Sequence, residues 1–266
     1  MKTHGILTLL ACIVAVLAVA GAGCTGTTEQ TGEAGLKDSY IVGIDDAYPP
    51  YSYVDKDGNA QGFDVDSMKW IAEQKGIEVT FLPVEWSGII PALQAGKIDM
   101  VYAGMSITPP RQEAVNFSNP YWTVNQDVVT REDADVTLED VLAGEVIIGA
   151  QQGCTAATWI EDNLIENGTM PAENLKTYAN TQLAVNDLEA GRVDAVMYDD
   201  VSIQDIIKGK PVKTIGSVET MEEFGVAIRK DDTALLEFMN EAIAELQADP
   251  YWEELKEKHN LTESTT

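Results

Sequence analysis

Two segments of this 266-residue chain repeat one pattern, and the repeat strongly constrains the fold. Residues 93–101 read LQAGKIDMV, and residues 188–196 read LEAGRVDAV. Each has the form of a helix end, a glycine suited to the left-handed position after the helix, and a short buried strand. A weaker repeat, IVGI at 41–44 and IIGA at 147–150, reads as the strand that opens each unit. Two widely spaced copies predict two similar α/β lobes rather than a solenoid.

The rest of the hydrophobic pattern alternates strands with helices. The first series contains strand 41–44, helix 63–75, strand 78–82, helix 87–95 and strand 99–103. The second contains a strand near 146, helix 155–167, a strand near 176, helix 182–190 and strand 195–198. A strand at 225–228 and a helical stretch at 233–258, interrupted near Pro250, follow. This alternation predicts mostly parallel sheets with helices on both faces.

Unusual residues cluster where the predicted strands end. In the first lobe these segments are 45–51 and 103–106, and in the second lobe they are 151–155 and 198–200. Parallel α/β sheets bind ligands at the carboxyl ends of their strands. If the two lobes face each other, the four segments line one cleft.

The N-terminus has the composition of a targeting segment. A charged start precedes an apolar run at 6–20 and then small residues, which predicts a signal peptide at 1–23. Cys24 resembles a lipobox cysteine, so we expect a lipid on it and a flexible tether at 24–37. The alternatives are an uncleaved membrane anchor, or ordinary secretion with an incidental cysteine. The expected location is extracytoplasmic, at the outer face of the cell membrane.

Charge and residue usage exclude several classes of function. The net charge of −27, from 44 acidic and 17 basic residues, should repel nucleic acid. The two histidines are His4, in the predicted signal peptide, and His259, near the end of the chain. So few histidines make a zinc site of histidines or a Ser-His-Asp triad improbable, and we expect no catalytic residue, metal or cofactor. A Cys154–His259 nucleophile pair would require the two residues to converge in space.

The order and spacing of several motifs resemble the bacterial extracellular solute-binding protein family 3, the polar amino-acid-binding proteins of ABC transporters. The motifs are VGID (42–45), YPPY (48–51), GFDVD (62–66), WSGIIP (86–91), AGMSITPPR (103–111), FSNPY (117–121), QGCT (152–155) and GRVDAVMYD (191–199). The resemblance implies an α/β fold like the type II periplasmic-binding proteins, with two lobes joined by two hinge strands. Lobe 1 would comprise 38–125 and 226–262, and lobe 2 would comprise 126–225. The expected partners are an amino acid and the permease subunits of an ABC transporter, with the protein itself a monomer.

The resemblance also implies how the cleft holds the carboxylate of a zwitterion. Thr108 reads as a helix N-cap, which places Arg111 in the first helical turn. The planar guanidinium of Arg111 matches a carboxylate. Ser106 would add a hydroxyl, Gly104 would allow close approach of the backbone, and Thr155 would open a helix with free amide groups.

The other end of the cleft would bind the ammonium group and the ligand's side chain. Asp199 would accept the ammonium group, helped by the backbone carbonyl near Ala103. Tyr48, Tyr51 and Trp86 would form the wall of the side-chain pocket, with plain core as the alternative for each. Asp45 could reach a cationic or amide tip. We therefore expect a neutral polar or cationic amino acid. The remaining strand-end residues assigned to the cleft are Gln151 and Tyr198.

Two other functions remain open at the level of sequence. One is a dehydratase-like cleft enzyme of the same fold, which needs a positioned acid or base, and Glu85 is the candidate glutamate. The other is a ligand-sensing module that serves a signalling partner. Cys154 departs from the family pattern, because Thr or Ser usually stands there, and this puts one side-chain hydrogen bond in doubt.

Overall fold

A computed structural model describes residues 35–261 of the protein. The strands are β1 (Ser39–Ile44), β2 (Ala47–Tyr48), β3 (Ser52–Val54), β4 (Ala60–Gln61), β5 (Glu78–Pro83), β6 (Met100–Val101), β7 (Asn116–Phe117), β8 (Trp122–Arg131), β9 (Ile148–Gln151), β10 (Leu175–Tyr178), β11 (Ala195–Asp199), β12 (Val212–Phe224) and β13 (Ala227–Ile228). The α-helices are α1 (Phe63–Lys75), α2 (Trp86–Gln94), α3 (Pro109–Ala114), α4 (Leu138–Leu142), α5 (Thr155–Ile160), α6 (Thr181–Glu189), α7 (Asp200–Ile207), α8 (Thr233–Ala248) and α9 (Tyr251–Lys258). The predicted signal peptide, Cys24 and most of the predicted tether lie outside the described residues.

Two five-stranded sheets organise the described chain, with orders β5-β1-β6-β13-β7 and β10-β9-β11-β8-β12. In each sheet the first three strands are parallel and the last two join antiparallel. The chain enters the second sheet through β8 and leaves it through β12, and these two long strands pair with each other. The predicted two-lobed α/β fold is confirmed. The alternation of helices and strands did not predict the two strands of each sheet that join antiparallel.

The repeated segments occupy equivalent positions in the two sheets. The amide of Asp99 donates to the carbonyl of Ile41 at 2.7 Å, and the amide of Ile41 donates back to a carboxylate oxygen of Asp99 at 2.8 Å. Asp194 and Ile147 form the same reciprocal pair, at 2.8 and 2.9 Å. Each repeat aspartate therefore links two neighbouring parallel strands and satisfies a backbone N–H near the start of the opening strand.

The two connecting strands are anchored in an aromatic cluster of the first lobe. Trp122 begins β8 and Phe224 ends β12, and both are buried. Phe63 lies 5.7 Å from Trp122 between ring centroids and 5.0 Å from Trp252. Tyr51 lies 5.3 Å from Phe224 in an edge-on arrangement. Large buried aromatic rings contribute strongly to core energetics, so this cluster fixes where the connecting strands begin and end.

The helix predicted over 155–167 is wrong beyond Ile160. The α-helix ends there, and the chain continues as a π-helical turn, Glu161–Ile165, in which the amide of Glu166 donates to the carbonyl of Glu161. Ile160 and Leu164 are both buried. An apolar spacing of four residues fits either kind of helix, so the pattern could not distinguish them.

Other sequence-based boundaries are close to those observed. Helix α1 spans the 63–75 segment as predicted, and α8 and α9 are separated at Pro250. The strand predicted over 99–103 is shorter, because only Met100–Val101 pairs as β6. Within residues 35–261, no helix combines the length and the apolar character needed to cross a membrane.

The glycines of the two repeats generate a stability prediction. Gly96 and Gly191 both have φ of +69°, in the left-handed region where a Cβ is disfavoured. We expect Gly96→Ala and Gly191→Ala each to lower the free energy of unfolding by about 1 kcal/mol in urea titrations. Gly88→Ala is the matched control, because it lies inside α2 in open space and should stabilise by about 0.5–1 kcal/mol. Unchanged or raised stability in both repeat variants would contradict this account.

Candidate functional site

A small cavity lies where strand ends of the two sheets meet. The first lobe contributes Asp45, Tyr48, Trp86, Gly104, Ser106 and Arg111, and the second contributes Gln151, Cys154, Thr155, Tyr198 and Asp199. The residues that the sequence assigned to the cleft line this cavity, except Ala103 and Tyr51. Both of these are buried in apolar clusters. Four segments that are distant in sequence are therefore brought together.

Arg111 lines the cavity and contacts both lobes. Thr108 caps α3 by accepting from the amide of Arg111 at 3.4 Å, as the sequence predicted. The guanidinium donates to the carbonyl of Ser106 at 2.9 Å and to the carbonyl of Gly153 at 3.1 Å, and its central carbon lies 5.2 Å from the Trp86 ring centre. Burial lowers the pKa of Arg111. Because a guanidinium has five N–H groups, these two hydrogen bonds leave donors for a ligand.

Asp199 is a buried carboxylate without a cationic partner. It occupies the N-cap position of α7, yet its side chain caps no helical amide. The Tyr48 hydroxyl donates to one carboxylate oxygen at 2.5 Å, and the Gln126 amide donates to the other. No Lys, Arg or His within the described chain forms an ion pair with Asp199. Burial raises the pKa of Asp199 to about 7, and the nearby Glu222 carboxylate adds to this rise.

Asp45 is a second buried carboxylate of the cavity. One oxygen accepts from the amide of Ala47 at 2.9 Å, and the other accepts from the Gln151 side chain at 3.2 Å. The Tyr198 hydroxyl donates to the carbonyl oxygen of Gln151 at 2.7 Å. Burial raises the pKa of Asp45 to about 6. Over residues 35–261, Asp45 likewise forms no ion pair, so its hydrogen bonds are all to neutral groups.

Two polar residues beside the cavity were missed by sequence reasoning. Gln126, on β8, is fully buried, and its amide nitrogen donates to Glu222 on β12 at 3.0 Å. The Ser106 hydroxyl donates to the other Glu222 oxygen at 2.8 Å. Gln126 lies in the polar run Asn125–Asp127 of β8, and nothing in that local pattern points to Glu222.

The first aspartate of the GFDVD motif, Asp64, holds the cavity residue Gly104 by a hydrogen bond. Asp64 accepts from the amide of Gly104 at 2.6 Å and from the Tyr121 hydroxyl at 3.0 Å. Gly104 has φ of +55°, and a Cβ added there would collide with the ring of Tyr48. Asp66 instead pairs with Lys258 at 2.7 Å, on α9. The first aspartate of the motif therefore positions a cavity residue, and the second fixes the C-terminal helix.

Cys154 and His259 do not form a nucleophile pair. Cys154 lines the cavity and caps α5, with its sulfur accepting from the amide of Ala157 at 3.5 Å. Burial raises the pKa of Cys154 to about 12, so the thiolate is disfavoured. A ring nitrogen of His259 contacts Asp66 at 2.9 Å instead. Within the described residues, no group of three or more His, Cys, Asp or Glu side chains is arranged to hold a metal ion.

Two α/β lobes that enclose a polar cavity between their strand ends define the class of solute-binding proteins. The chain belongs to the bacterial extracellular solute-binding proteins, family 3, whose model matches residues 40–262. The family predicted from the motifs is thereby confirmed. Members of this family act outside the cytoplasm, and relatives of this chain are amino-acid-binding proteins of ABC transporters.

Individual relatives differ in what their names say they bind. The L-cystine-binding protein of Escherichia coli K12 is 29% identical over 222 residues, which are 82% of this chain and 81% of the relative. The structure of an ancestral arginine-binding protein bound to arginine has a TM-score of 0.77 and 35% identity, over 84% of this chain and 98% of that one. An ancestral amino acid-binding protein, described as a precursor of cyclohexadienyl dehydratase, has a TM-score of 0.74 and 34% identity, over 84% and 95%.

Proposed function

We propose that this protein binds a polar or cationic amino acid in the cavity and delivers it to the permease of an ABC importer. The observation that best supports this proposal is the distribution of charged side chains in the cavity. Arg111 is the one cation among the lining residues, whereas Asp45 and Asp199 are buried carboxylates with only neutral hydrogen-bond donors. A free amino acid with a cationic side chain brings one carboxylate and two cations, which complements this arrangement.

The α-carboxylate would be bound by Arg111. Its guanidinium offers a planar fork for two carboxylate oxygens, and Thr155 on the opposite lobe adds a hydroxyl to the same wall. The amide of Gly104 already donates to Asp64 and Tyr121, so the role of Gly104 is close packing against Tyr48 rather than donation to the ligand. Asp199 would accept the ammonium group, and the Ala103 carbonyl stays a predicted second acceptor.

The side chain of the ligand would extend toward Asp45. Gln151 and Tyr198 hold that carboxylate in place, and the aromatic rings of Tyr48 and Trp86 give the cavity apolar walls. Aromatic faces and a carboxylate together suit a guanidinium, an ammonium or an imidazolium. A ligand with a second carboxylate would have to bury that charge beside Asp45, which is costly without a cation.

Localisation and anchoring follow from the N-terminal pattern and the family. The family is extracytoplasmic. We extend this to a lipid on Cys24 that tethers a monomeric binding protein to the outer face of the cell membrane. The apolar run, the small residues before Cys24 and the polar stretch after it support the anchor.

A cleft enzyme is the second candidate, favoured by one observation. A carboxyl group with a pKa of about 7, such as Asp199, suits general acid–base chemistry at neutral pH. Glu85, the candidate from the sequence, is exposed and does not line the cavity. Formation of product from an incubated candidate substrate would favour this function, whereas recovery of an unchanged bound amino acid favours transport. A sensing role would appear as a stable complex with a signalling partner.

The direct test of the proposed ligand class is a competition series by calorimetry. L-Arginine, L-lysine, L-histidine, L-glutamine, L-cystine, L-glutamate and L-aspartate are titrated into ligand-stripped protein. We expect the cationic or neutral polar amino acids to bind most tightly. Tightest binding of glutamate or aspartate would overturn the interpretation of the cavity charge.

Replacing the planar guanidinium of Arg111 by the ammonium group of lysine should weaken ligand binding. We expect Arg111→Lys to raise the Kd for the best ligand by about tenfold or more, because an ammonium cannot form the two parallel hydrogen bonds. Arg192→Lys is the matched control, since Arg192 is exposed and pairs with Asp187 at the surface, away from the cavity lining. Near-native affinity in Arg111→Lys, measured by calorimetry, would count against the role of Arg111.

Affinity should also depend on pH through Asp199. The carboxylate form binds a cation, and burial raises the pKa of this group to about 7. Affinity for L-arginine is therefore expected to fall as the pH drops below about 7, by at most about tenfold per pH unit for one proton. Asp199→Asn should remove this step and weaken binding at neutral pH by about 2–5 kcal/mol. A pH profile that is identical in the two proteins would place the ammonium group elsewhere.

A further inference from the structure

Three asparagines of the chain begin the triplet Asn-X-Ser/Thr, which has no part in the cavity. The triplets are NFS (116–118), NGT (167–169) and NLT (260–262). This is the acceptor pattern for N-linked glycosylation of proteins outside the cytoplasm, and the family of this chain is extracytoplasmic. A triplet alone does not mark a modified residue, because the folded chain must also leave room for a sugar on the asparagine.

The triplet at Asn116 is built into a sheet. Asn116 lies in β7, which pairs with β13, and its side-chain amide donates to the carbonyl of Lys230 at 3.2 Å. Ser118 is buried. Its hydroxyl donates to the carbonyl of Asn119 and accepts from the amide of Val226, both at 2.9 Å. The hydroxyl that completes this triplet is therefore inaccessible in the folded protein.

The triplet at Asn260 is fixed to the last helix. Asn260 follows α9 with a φ of +52°, in the left-handed region. The middle residue, Leu261, is buried, and its amide donates to the carbonyl of Lys256 at 2.9 Å. An enzyme that takes up the whole triplet would first have to pull Leu261 out of the core.

The triplet at Asn167 is exposed throughout. It lies in the turn that follows the π-helical segment Glu161–Ile165, and Asn167, Gly168 and Thr169 are all exposed. Gly168 has a φ of +73°, and a Cβ added there would meet no atom within 4 Å beyond its chain neighbours, so the turn faces open space. Over residues 35–261, the Thr169 hydroxyl has no hydrogen-bond partner. Both side chains that define the triplet are thus available to an enzyme.

One hydrogen bond holds the Asn167 side chain at the surface. Its Nδ2 donates to the carbonyl of Asn163 at 2.9 Å, and this contact is exposed. The amide nitrogen carries two N–H groups, so the contact uses one of them. Water can replace an exposed carbonyl as the acceptor at little net cost, so this hydrogen bond does not protect the nitrogen from reaction.

The position of Asn167 keeps a sugar chain clear of the cavity. The helical run begins at Thr155, which lines the cavity, and continues through α5 and the π-helical turn to Ile165. At about 1.5 Å per residue this run is about 15 Å long, so Asn167 lies at its far end from the cavity. A sugar chain on Asn167 can extend into solvent without covering the ligand-binding residues.

We propose that Asn167 is an N-glycosylation site, modified by a membrane-bound oligosaccharyltransferase with a lipid-linked oligosaccharide as the co-reactant. The Nδ2 atom of Asn167 forms a bond to C1 of the first sugar. The bond between C1 and the phosphate oxygen of the lipid carrier breaks, and that oxygen leaves with the bonding electron pair. A basic group of the transferase accepts the proton lost from Nδ2. This modification is independent of which ligand the cavity binds.

Peptide mass spectrometry of the native protein tests this site against the other two. The protein is purified from cells of the organism that makes it and digested with an endoproteinase that cleaves after glutamate. This cleavage places the three triplets on separate peptides, 114–132, 167–173 and 258–263. We expect the mass of a sugar chain on peptide 167–173, with the other two peptides unmodified. An unmodified peptide 167–173, or sugar on Asn116 or Asn260 alone, would overturn the proposal.

Substitutions at Thr169 test whether the added mass depends on the triplet. We expect Thr169→Ala, produced in the same organism, to lose the sugar although Asn167 is unchanged, and Thr169→Ser to retain it, because the triplet requires a hydroxyl. Thr262→Ala is the matched control at the Asn260 triplet and should keep the sugar. Retention of the sugar mass in Thr169→Ala would contradict the proposal.

Calorimetry with L-arginine separates this site from the proposed function. We expect the same Kd for wild type and Thr169→Ala, because the turn lies at the far end of the helical run from the cavity. A weaker Kd in Thr169→Ala would contradict the placement of the sugar away from the cavity. Failure of wild type to bind any amino acid would instead overturn the proposed function, and the peptide masses would still decide whether Asn167 is modified.

Discussion

The rest of this site depends on a buried carboxylate, Asp199, which forms no ion pair with any residue of the stretch 35–261. Asp199 lies at the end of β11, and burial raises its pKa to about 7. A carboxylate in such a position is unfavourable unless hydrogen bonds or a cation compensate for the lost water. Tyr48 from the first lobe and Gln126 from the connecting strand supply the hydrogen bonds. In the proposed function, the ammonium group of the ligand supplies that cation.

The two-lobed fold makes this arrangement possible. In each lobe, the aspartate of the repeat, Asp99 or Asp194, accepts a hydrogen bond from the first strand of that lobe's parallel set. The parallel strands then end at the same edge of each sheet, which brings segments distant in sequence to one cavity. Arg111 lines the same cavity and contacts carbonyl oxygens of both lobes. The cavity therefore carries both a guanidinium and buried carboxylates, the groups that complement the two charges of a zwitterion.

Most of the fold and much of the cavity could be predicted from the sequence, because local patterns specify them. The repeat segments, helix α1 and the capped turn before Arg111 depend on neighbours within a few residues. The pairing of β8 with β12 is set by tertiary contacts between residues far apart in sequence, so Gln126 and Glu222 carried no local sign of meeting. The π-helical turn after Ile160 was missed because its buried residues have the spacing of an α-helix. That the motif aspartate Asp64 supports Gly104 likewise required the tertiary structure.

The orientation of a bound amino acid tests the central claim most directly. A crystal structure of the complex with L-arginine should place the α-carboxylate about 3 Å from the guanidinium nitrogens of Arg111 and the ammonium nitrogen at a similar distance from the Asp199 carboxylate. The guanidinium of the ligand should then lie beside Asp45, between Tyr48 and Trp86. A ligand bound in the reverse direction, or with its ammonium group out of hydrogen-bond reach of Asp199, would contradict the account.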